Sequence, residues 1–422
     1  MEINIFWNSK KTCVLYSTLY SIAQRLILDV DTSRINPSKD QAGSFNSSDH
    51  YLDVLRITIK MIKREETQMK NIDVRSDTVT HPTKRMYEAM FNAQIGDDVY
   101  YEDDTVNKLE KMAAELVGME AALFVPTGTM GNQILVMAHC QRGQEIIIGI
   151  DHHVAEDEVA GCAVLAGVQT RTLPTKDGYM DLQDIENSIR KDIYDWIPET
   201  GLICLENSMQ GRALSLEYMA KVRELGNKYK IPVHLDGARM FNACTALKCS
   251  PREMAQYVDS LNFCLSKGLC APIGSMICGS KKLIQKARRL RKLLGGGMRQ
   301  VGIIAAAGII AIQEMIPQLE DDHRIARILA EELSLIPEVD VKFEALSTNM
   351  VFWQFRDQKA RNLVNFQQYL ARKNIKINLP WEPKYWFRFV VHHYIREEQV
   401  QLIVDSIKSY IAQSEDRMQA SL

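Results

Sequence analysis

Short apolar runs alternate with amphipathic helical stretches through the middle of the chain, and this constrains the fold more than any other feature. The runs lie at Ala121–Val125, Glu145–Gly149, Val168–Leu173, Leu202–Glu206, Ile231–Asp236, Ser260–Ser266 and Ile273–Cys278. Each is short enough for a strand and apolar enough to be covered on both faces. Helical stretches such as Glu217–Tyr229 separate most of them. That alternation predicts an α/β domain with a mostly parallel sheet between helical layers. The last two runs are too close for a helical crossover, so one of them is expected to be antiparallel. Upstream, Leu109, Met112, Ala113, Leu116 and Val117 recur at helical spacing, with Gly118 placed to cap the helix.

Away from this body the composition changes. Asp31–His50 is rich in Ser, Asn, Asp and Gly, and residues 51–70 carry only weak helical periodicity. Residues 1–70 are expected to form an N-terminal extension, partly disordered. Residues 71–318 are expected to hold the sheet as a large domain with an N-terminal arm. After Pro317 a polar helix over Leu319–Leu333 leads into short strands and helices, so residues 319–422 are expected to form a smaller α+β domain.

Charge and cysteine usage exclude several function classes. The 51 Lys and Arg against 53 Asp and Glu give a net charge of −2, so no global basic field exists to hold nucleic acid. Nine cysteines stand singly, without a C-x-x-C pair, as in a reducing compartment. No stretch reaches the ~18–20 apolar residues of a membrane span. Early Arg and Ser would suit a transit peptide, but Glu2, Asp29 and Asp31 oppose one, so a cytoplasmic protein is expected rather than a mitochondrial one.

Four places carry chemistry. Pro126-Thr127-Gly128-Thr129-Met130-Gly131-Asn132 joins a strand to a helix; it is either a phosphate cradle or an ordinary strand–helix turn. Asp236 ends an apolar strand, where α/β folds place their ligands, and it would either pair with Arg239 or face a cationic cofactor ring. Lys267 ends the next apolar run; it is either a desolvated nucleophilic amine or a snorkelling surface lysine. Together, a phosphate turn, an Asp and a Lys 31 residues later (267 − 236) are the three anchors of pyridoxal 5'-phosphate. The fourth place pairs Gly295-Gly296-Gly297-Met298-Arg299 with Arg388. Arg388 offers a fork for a phosphate or a carboxylate, or else it is a surface arginine on an edge strand.

From about Asn71 to Ala412 the chain resembles the low-specificity L-threonine aldolases. The resemblance is carried by Asp73-Val74-Arg75-Ser76-Asp77-Thr78-Val79-Thr80 and Gly96-Asp97-Asp98-Val99-Tyr100, together with the three anchors. It implies the pyridoxal-phosphate-dependent transferase fold (fold type I, that of aspartate aminotransferase) and a carbon–carbon lyase that splits L-threonine or L-allo-threonine into glycine and acetaldehyde. It implies that Lys267 holds the cofactor through a Schiff base and that Gly128 and Thr129 bind its phosphate. Asp236 and Arg239 would face the pyridine nitrogen and ring hydroxyl, and His153 would stack on the ring and serve as base. Ser76 and Arg388 would hold the substrate carboxylate and Tyr100 would line the pocket. Arg299 would reach the cofactor of a neighbouring subunit in a homotetramer.

Two positions depart from that family. Its Glu-Asn-Thr-His-Asn string is here Glu206-Asn207-Ser208-Met209-Gln210, and about three loop residues are missing after it. The thioether of Met209 cannot take a proton from the substrate hydroxyl as the family's histidine would. The departure leaves open an aldolase that relies on His153 or a water, another pyridoxal-phosphate lyase or racemase for small amino acids, and a non-enzymatic relative. Cys270 stands where the family has Gly, either crowding the turn after Lys267 or harmless. The basic run Lys281–Lys292 is expected to be the solvated face of a helix rather than a membrane or partner surface. His392-His393 and His152-His153, as neighbours on a strand, would point to opposite faces, so no metal site is expected.

Overall fold

The computed structural model describes residues 71–191, 194–357, 362–380 and 386–419; the expected extension over residues 1–70 lies outside them. Seven strands form the central sheet: β1 (Ala121–Val125), β2 (Glu145–Gly149), β3 (Gln169–Leu173), β4 (Thr200–Glu206), β5 (Val233–Asp236), β6 (Ser260–Cys264) and β7 (Ser275–Gly279). Their order is β1-β7-β6-β5-β4-β2-β3. All neighbours are parallel except β7, which runs antiparallel to both β6 and β1. The close spacing of the last two apolar runs has its reason here: a β6–β7 pair needs no crossover helix.

Side-chain alternation divides the core between the two faces of this sheet. On β4, Ile203 and Leu205 join the large cluster on one face, and Leu202 and Cys204 pack on the other. On β1, Ala122 and Phe124 lie on the first face and Leu123 and Val125 on the second. Every residue of β2, β5, β6 and β7 is buried, as expected of strands covered on both sides. Three strands start later than their apolar runs, β3 by the single residue Val168 and the other two for a backbone reason. Ile231 is taken by the C-cap of helix α3 (Leu216–Tyr229): its N–H donates to Gly226 O at 2.9 Å after Lys230 turns left-handed (φ 54°), so β5 begins only at Val233. Gly274 has φ 112°, so Ile273 lies outside β7.

Helix α1 (Asp104–Val117) begins on the Asp103 side chain and ends at Gly118 with φ 71°. Helix α2 (Gly128–His139) follows β1 directly. The basic run forms helix α4 (Lys281–Leu293), but it is not simply a solvated face. Arg291 is buried and bonded to Phe124 O (2.7 Å) and Asp98; Arg288 reaches Asp98 (3.1 Å) and Glu110 (2.7 Å). All three partners come from segments far away in sequence, so local charge spacing misreads these two arginines as solvent-facing.

A second core lies on a three-stranded sheet of β8 (Val339–Val341), β9 (Met350–Phe355) and β10 (Phe387–Val390), all antiparallel, with β10 at an edge. Trp353 is fully buried there, stacked on Phe387 at 4.6 Å between ring centroids. Helix α5 (Leu319–Ser334) covers it, one residue longer than its apolar pattern. Ile72 and Val74 pack into this core, and Ile72–Asp73 pairs in parallel with Ile375–Lys376. Val390 N–H then donates to Val74 O at 2.9 Å, which brings the Ser76–Asp77 segment beside the strand that carries Arg388. His392 and His393 lie beyond the end of β10, not on a strand; His392 Nε2 faces Asp73 O at 2.9 Å. Among the described residues no single helix is long and apolar enough to cross a membrane.

Candidate active site

Because β1, β2, β4, β5 and β6 run parallel, their C-terminal ends share one edge, and a cavity of about 270 Å³ opens there. Gly128, Thr129, His153, Asp236 and Lys267 all line it. Five of the ten residues singled out in the sequence thus converge. Ser76, Tyr100, Arg239, Arg299 and Arg388 stand outside its wall.

The turn after β1 is built to hold an anion. Thr127 caps α2, its Oγ1 accepting from Met130 N–H at 3.1 Å and its carbonyl from Gly131 N–H at 3.1 Å. The amides of Gly128 and Thr129 are left without a helical partner at the positive end of the dipole. Glycine is required for a packing reason. A Cβ on Gly128 would lie 2.8 Å from Cys264 Sγ, and one on Gly131 would lie 2.8 Å from Asn262 Oδ1. Only a bare backbone lets this helix start sit down on β6.

Asp236 forms the floor. It is 3% exposed and accepts from Asn132 Nδ2 (2.8 Å) and Ala238 N–H (3.0 Å). Its expected alternative partner, Arg239, turns away and grips Asp77 at 2.8 and 2.6 Å. Burial alone would push the Asp77 carboxyl up, but the Arg239 charge and hydrogen bonds, with Lys267 and His392 behind them, hold it at about 2. Among the described residues no cation pairs with Asp236, so its carboxylate faces the cavity able to meet a positive group. The sequence showed the Asp-Gly-Ala-Arg string but not the competitor, which lies 162 residues away.

Lys267 follows β6 in a turn held by its own carbonyl, which accepts from Thr80 Oγ1 (2.8 Å) and Cys270 N–H (2.9 Å). Cys270 has φ 63°, a backbone state that favours glycine, yet its side chain is buried and the turn is closed around it. Burial pushes the Cys270 thiol up, so it stays a neutral thiol there.

His153 opens a short helix after β2. Its N–H donates to Glu206 Oε2 at 2.7 Å, and its Nδ1 lies 3.0 Å from Glu158 Oε1. The hydrogen bond to Glu158 raises the imidazole pKa against the lowering effect of burial; Asp236 adds to the rise and Lys267 opposes it. Glu206 lies beside Asp236 across the β4–β5 pair. Burial first, and the Asp236 charge second, push its carboxyl up to about 8. Asn132, Glu158, His234 and Asn262 were not singled out in the sequence. The available signal was a polar side chain inside an apolar strand, as in Val233-His234-Leu235 and Leu261-Asn262-Phe263. The ligand atoms of His153, Glu158 and Asp236 lie within 4.8 Å of one another, a spacing able to hold a metal ion; Asn132 Nδ2 donates to both carboxylates there.

The rim is looser. Ser76 Oγ accepts from Thr78 N–H at 3.2 Å. The Arg388 side chain is exposed on edge strand β10 and makes no hydrogen bond or ion pair among the described residues. Partial desolvation and the nearby Arg239 charge lower its pKa, while Asp77 and Asp157 oppose that, so all of these groups are close enough to be felt. Arg299 pairs with Asp97 at 2.7 Å, next to Tyr100, which is 68% exposed. Met209 and Arg212 exchange two backbone hydrogen bonds of 2.9 Å across Gln210 (φ 44°) and Gly211 (φ 78°), a tight turn with two left-handed residues. The shortened loop is therefore a closed hairpin, anchored by Thr348 Oγ1 on Gly211 O at 2.8 Å. Met209 is 3% exposed, is not in the cavity wall, and packs on Gly178.

The residues present fit pyridoxal phosphate: an anion-binding helix start that a Cβ would obstruct, a buried carboxylate without a cation, and a lysine between them. Comparison with known proteins agrees. The family model of the β-eliminating lyases matches residues 73–356. A low-specificity L-threonine aldolase 1 of Arabidopsis thaliana is 43% identical over 338 residues, 79% of this chain and 94% of the relative. The low specificity L-threonine aldolase of Escherichia coli K12 is 40% identical over 342 residues, 81% of this chain and 99% of the relative. In fold, the Leishmania major threonine aldolase structure superposes with a TM-score of 0.68 at 17% identity, covering 81% of this chain and 99% of that one. On residues, architecture and relatives alike, the chain belongs to the low-specificity L-threonine aldolases, a family of pyridoxal-phosphate-dependent lyases.

Proposed function

We propose that this protein cleaves L-threonine and L-allo-threonine to glycine and acetaldehyde. The observation that carries the reading is the Asp236 floor, paired with no cation among the described residues and facing the same cavity as Lys267 and the Gly128–Thr129 turn. Bound there, pyridoxal phosphate supplies an electron sink for the Cα–Cβ bond that breaks. The chain's own groups do the rest. Lys267 supplies the amine that holds the cofactor, and the amides of Gly128 and Thr129 hold its phosphate. Asp236 would favour a protonated ring nitrogen; Arg239, expected on the hydroxyl side, is outside the cavity wall and tied to Asp77. His153, in the cavity wall, would lie against the ring and would take the proton of the substrate β-hydroxyl through Nε2. Ser76 and Arg388 orient the substrate carboxylate; the lack of any other partner for Arg388 supports this.

Tyr100 and Arg299, outside the cavity of their own subunit, serve the site of a neighbour in a homotetramer; the exposure of Tyr100 supports that role. Eight free cysteines among the described residues support a cytoplasmic location. One observation favours a second reading, a lyase or racemase for small amino acids: the Met209 hairpin puts no imidazole beside the cavity. Product analysis decides. Purified protein with pyridoxal phosphate and L-threonine should release acetaldehyde and glycine in equal amounts. Pyruvate, 2-oxobutyrate or a D-amino acid without acetaldehyde would sink the aldolase reading.

A further inference from the structure

Glu158 has no role in the proposal above, yet its carboxylate ties the site together. The side chain is fully buried. Oε1 accepts from His153 Nδ1 (3.0 Å) and Asn132 Nδ2 (2.8 Å), and Oε2 from Gln133 Nε2 (2.6 Å). The same Asn132 nitrogen also donates to Asp236 Oδ2 at 2.8 Å. Two carboxylate oxygens, which only accept, set the Asn132 amide with Nδ2 toward them and Oδ1 toward Asn262 Nδ2 (3.3 Å) and His234 Nε2 (3.2 Å). The backbone turns back after Glu158, Gly161 N–H donating to Glu158 O at 2.9 Å. Val159 and Ala160 both hold left-handed φ values, 53° and 55°, and Val159 is left 91% exposed. A β-branched residue seldom takes up that conformation, so the backbone beside the buried carboxylate is strained.

We propose that Glu158 is a positioning residue, fixing the His153 ring with its proton on Nδ1 and Nε2 open, and tying it through Asn132 to the Asp236 floor. A carboxylate on one ring nitrogen selects the tautomer that leaves the other as acceptor. This rests on reading His153 as the base. The charged and titratable groups facing that ring are Glu158, Asp236, Glu206 and Lys267. The rate should rise with pH as the ring loses its proton, so weakening the carboxylate contact moves the acid limb to lower pH.

The test is a Glu158→Gln and Glu158→Asp pair in the holoenzyme. Two quantities are read: the His153 ring titration by NMR, assigned with a His153→Gln control, and the pH dependence of kcat on L-threonine. The expected order of the His153 pKa is wild type, then Asp, then Gln, with the acid limb following it. In Glu158→Gln, kcat falls on the order of 10²-fold with little change in KM. A fall in kcat with an unmoved His153 titration would overturn the proposal and leave Glu158 as packing. If the wild type makes no acetaldehyde while the titration still follows the expected order, the aldolase reading fails and the positioning role stands. Should the Gln variant not fold, the Asp variant alone decides by the same shift.

Discussion

The floor and the rim of the cavity are built on opposite plans. Through the floor a chain of polar groups is already bonded within the subunit: Asp236 to Asn132, Asn132 to Glu158, Glu158 to His153. At the rim the groups are exposed or unengaged: Arg388 has no partner among the described residues, and Tyr100 stands in solvent. The floor is therefore preorganised, as a group that must stabilise developing charge needs to be. The rim is left for what arrives, a substrate carboxylate or a second subunit. Changes to the floor should abolish chemistry or stability, and changes to the rim should weaken binding.

The largest effect tests the floor directly. Lys267→Ala should remove aldol cleavage, a loss on the order of 10⁵-fold or more. It should also remove the visible absorbance band of the protein with pyridoxal phosphate, while the fold stays soluble. A spectrum unchanged from wild type would contradict the role given to Lys267. Next comes the seam between floor and rim, the Asp77–Arg239 pair. Asp77→Ala leaves a guanidinium that is mostly buried without its partner and should cost about 3–5 kcal/mol in urea unfolding. The pair also sets a pH window. The folded Asp77 carboxyl is held at about 2 against an ordinary 3.8, so its contribution is complete above the ordinary value and is lost as pH falls through that interval. That amounts to about 2 kcal/mol; acid unfolding of Asp77→Ala with an unchanged midpoint would break the assignment.

How much of this contrast could be read from the sequence follows from the range of each interaction. The strands over Ala121–Val125 and Glu145–Gly149 have the bounds of their apolar runs, because burial on both faces writes itself into consecutive residues. The Gly128 turn, Asp236 and Lys267 are legible because each sits at a strand end, a position that local pattern fixes. Asn132, Glu158 and Asn262 are not, since their meaning lies in one another and their spacing has no period. The solvated reading of Arg288 and Arg291 fails for the same reason: Asp98 meets them 190 and 193 residues away. Met209 is a case in between. The sequence shows that an imidazole is absent, but only the fold shows that the thioether is buried in a closed hairpin and is not aimed at the cavity.

At the rim the expected effect is smaller and of another kind. Arg388→Ala removes a rim guanidinium that has no side-chain partner among the described residues and should lower kcat/KM by about 2 kcal/mol, roughly 30-fold. Most of that should fall in KM, and the cofactor absorbance should be unchanged. A loss of cofactor binding in this variant would place Arg388 on the floor and erase the contrast.

The smallest effect comes from a group that sits between the two regions. Glu206 ends β4 beside Asp236 and accepts the His153 N–H, and its carboxyl is pushed up to about 8, by burial first and by Asp236 second. Near pH 7 it is therefore a neutral acid, and Glu206→Gln swaps one neutral acceptor for another. The rate there should change by less than about twofold, since neither shape nor charge is altered. Above pH 8 the wild type gains one more carboxylate next to Asp236 and the variant does not. The alkaline limb of the wild-type rate should then be missing in Glu206→Gln. A large loss already at pH 7 would mean that Glu206 is ionised when the protein works, and that the floor carries one more negative charge than its hydrogen bonds imply.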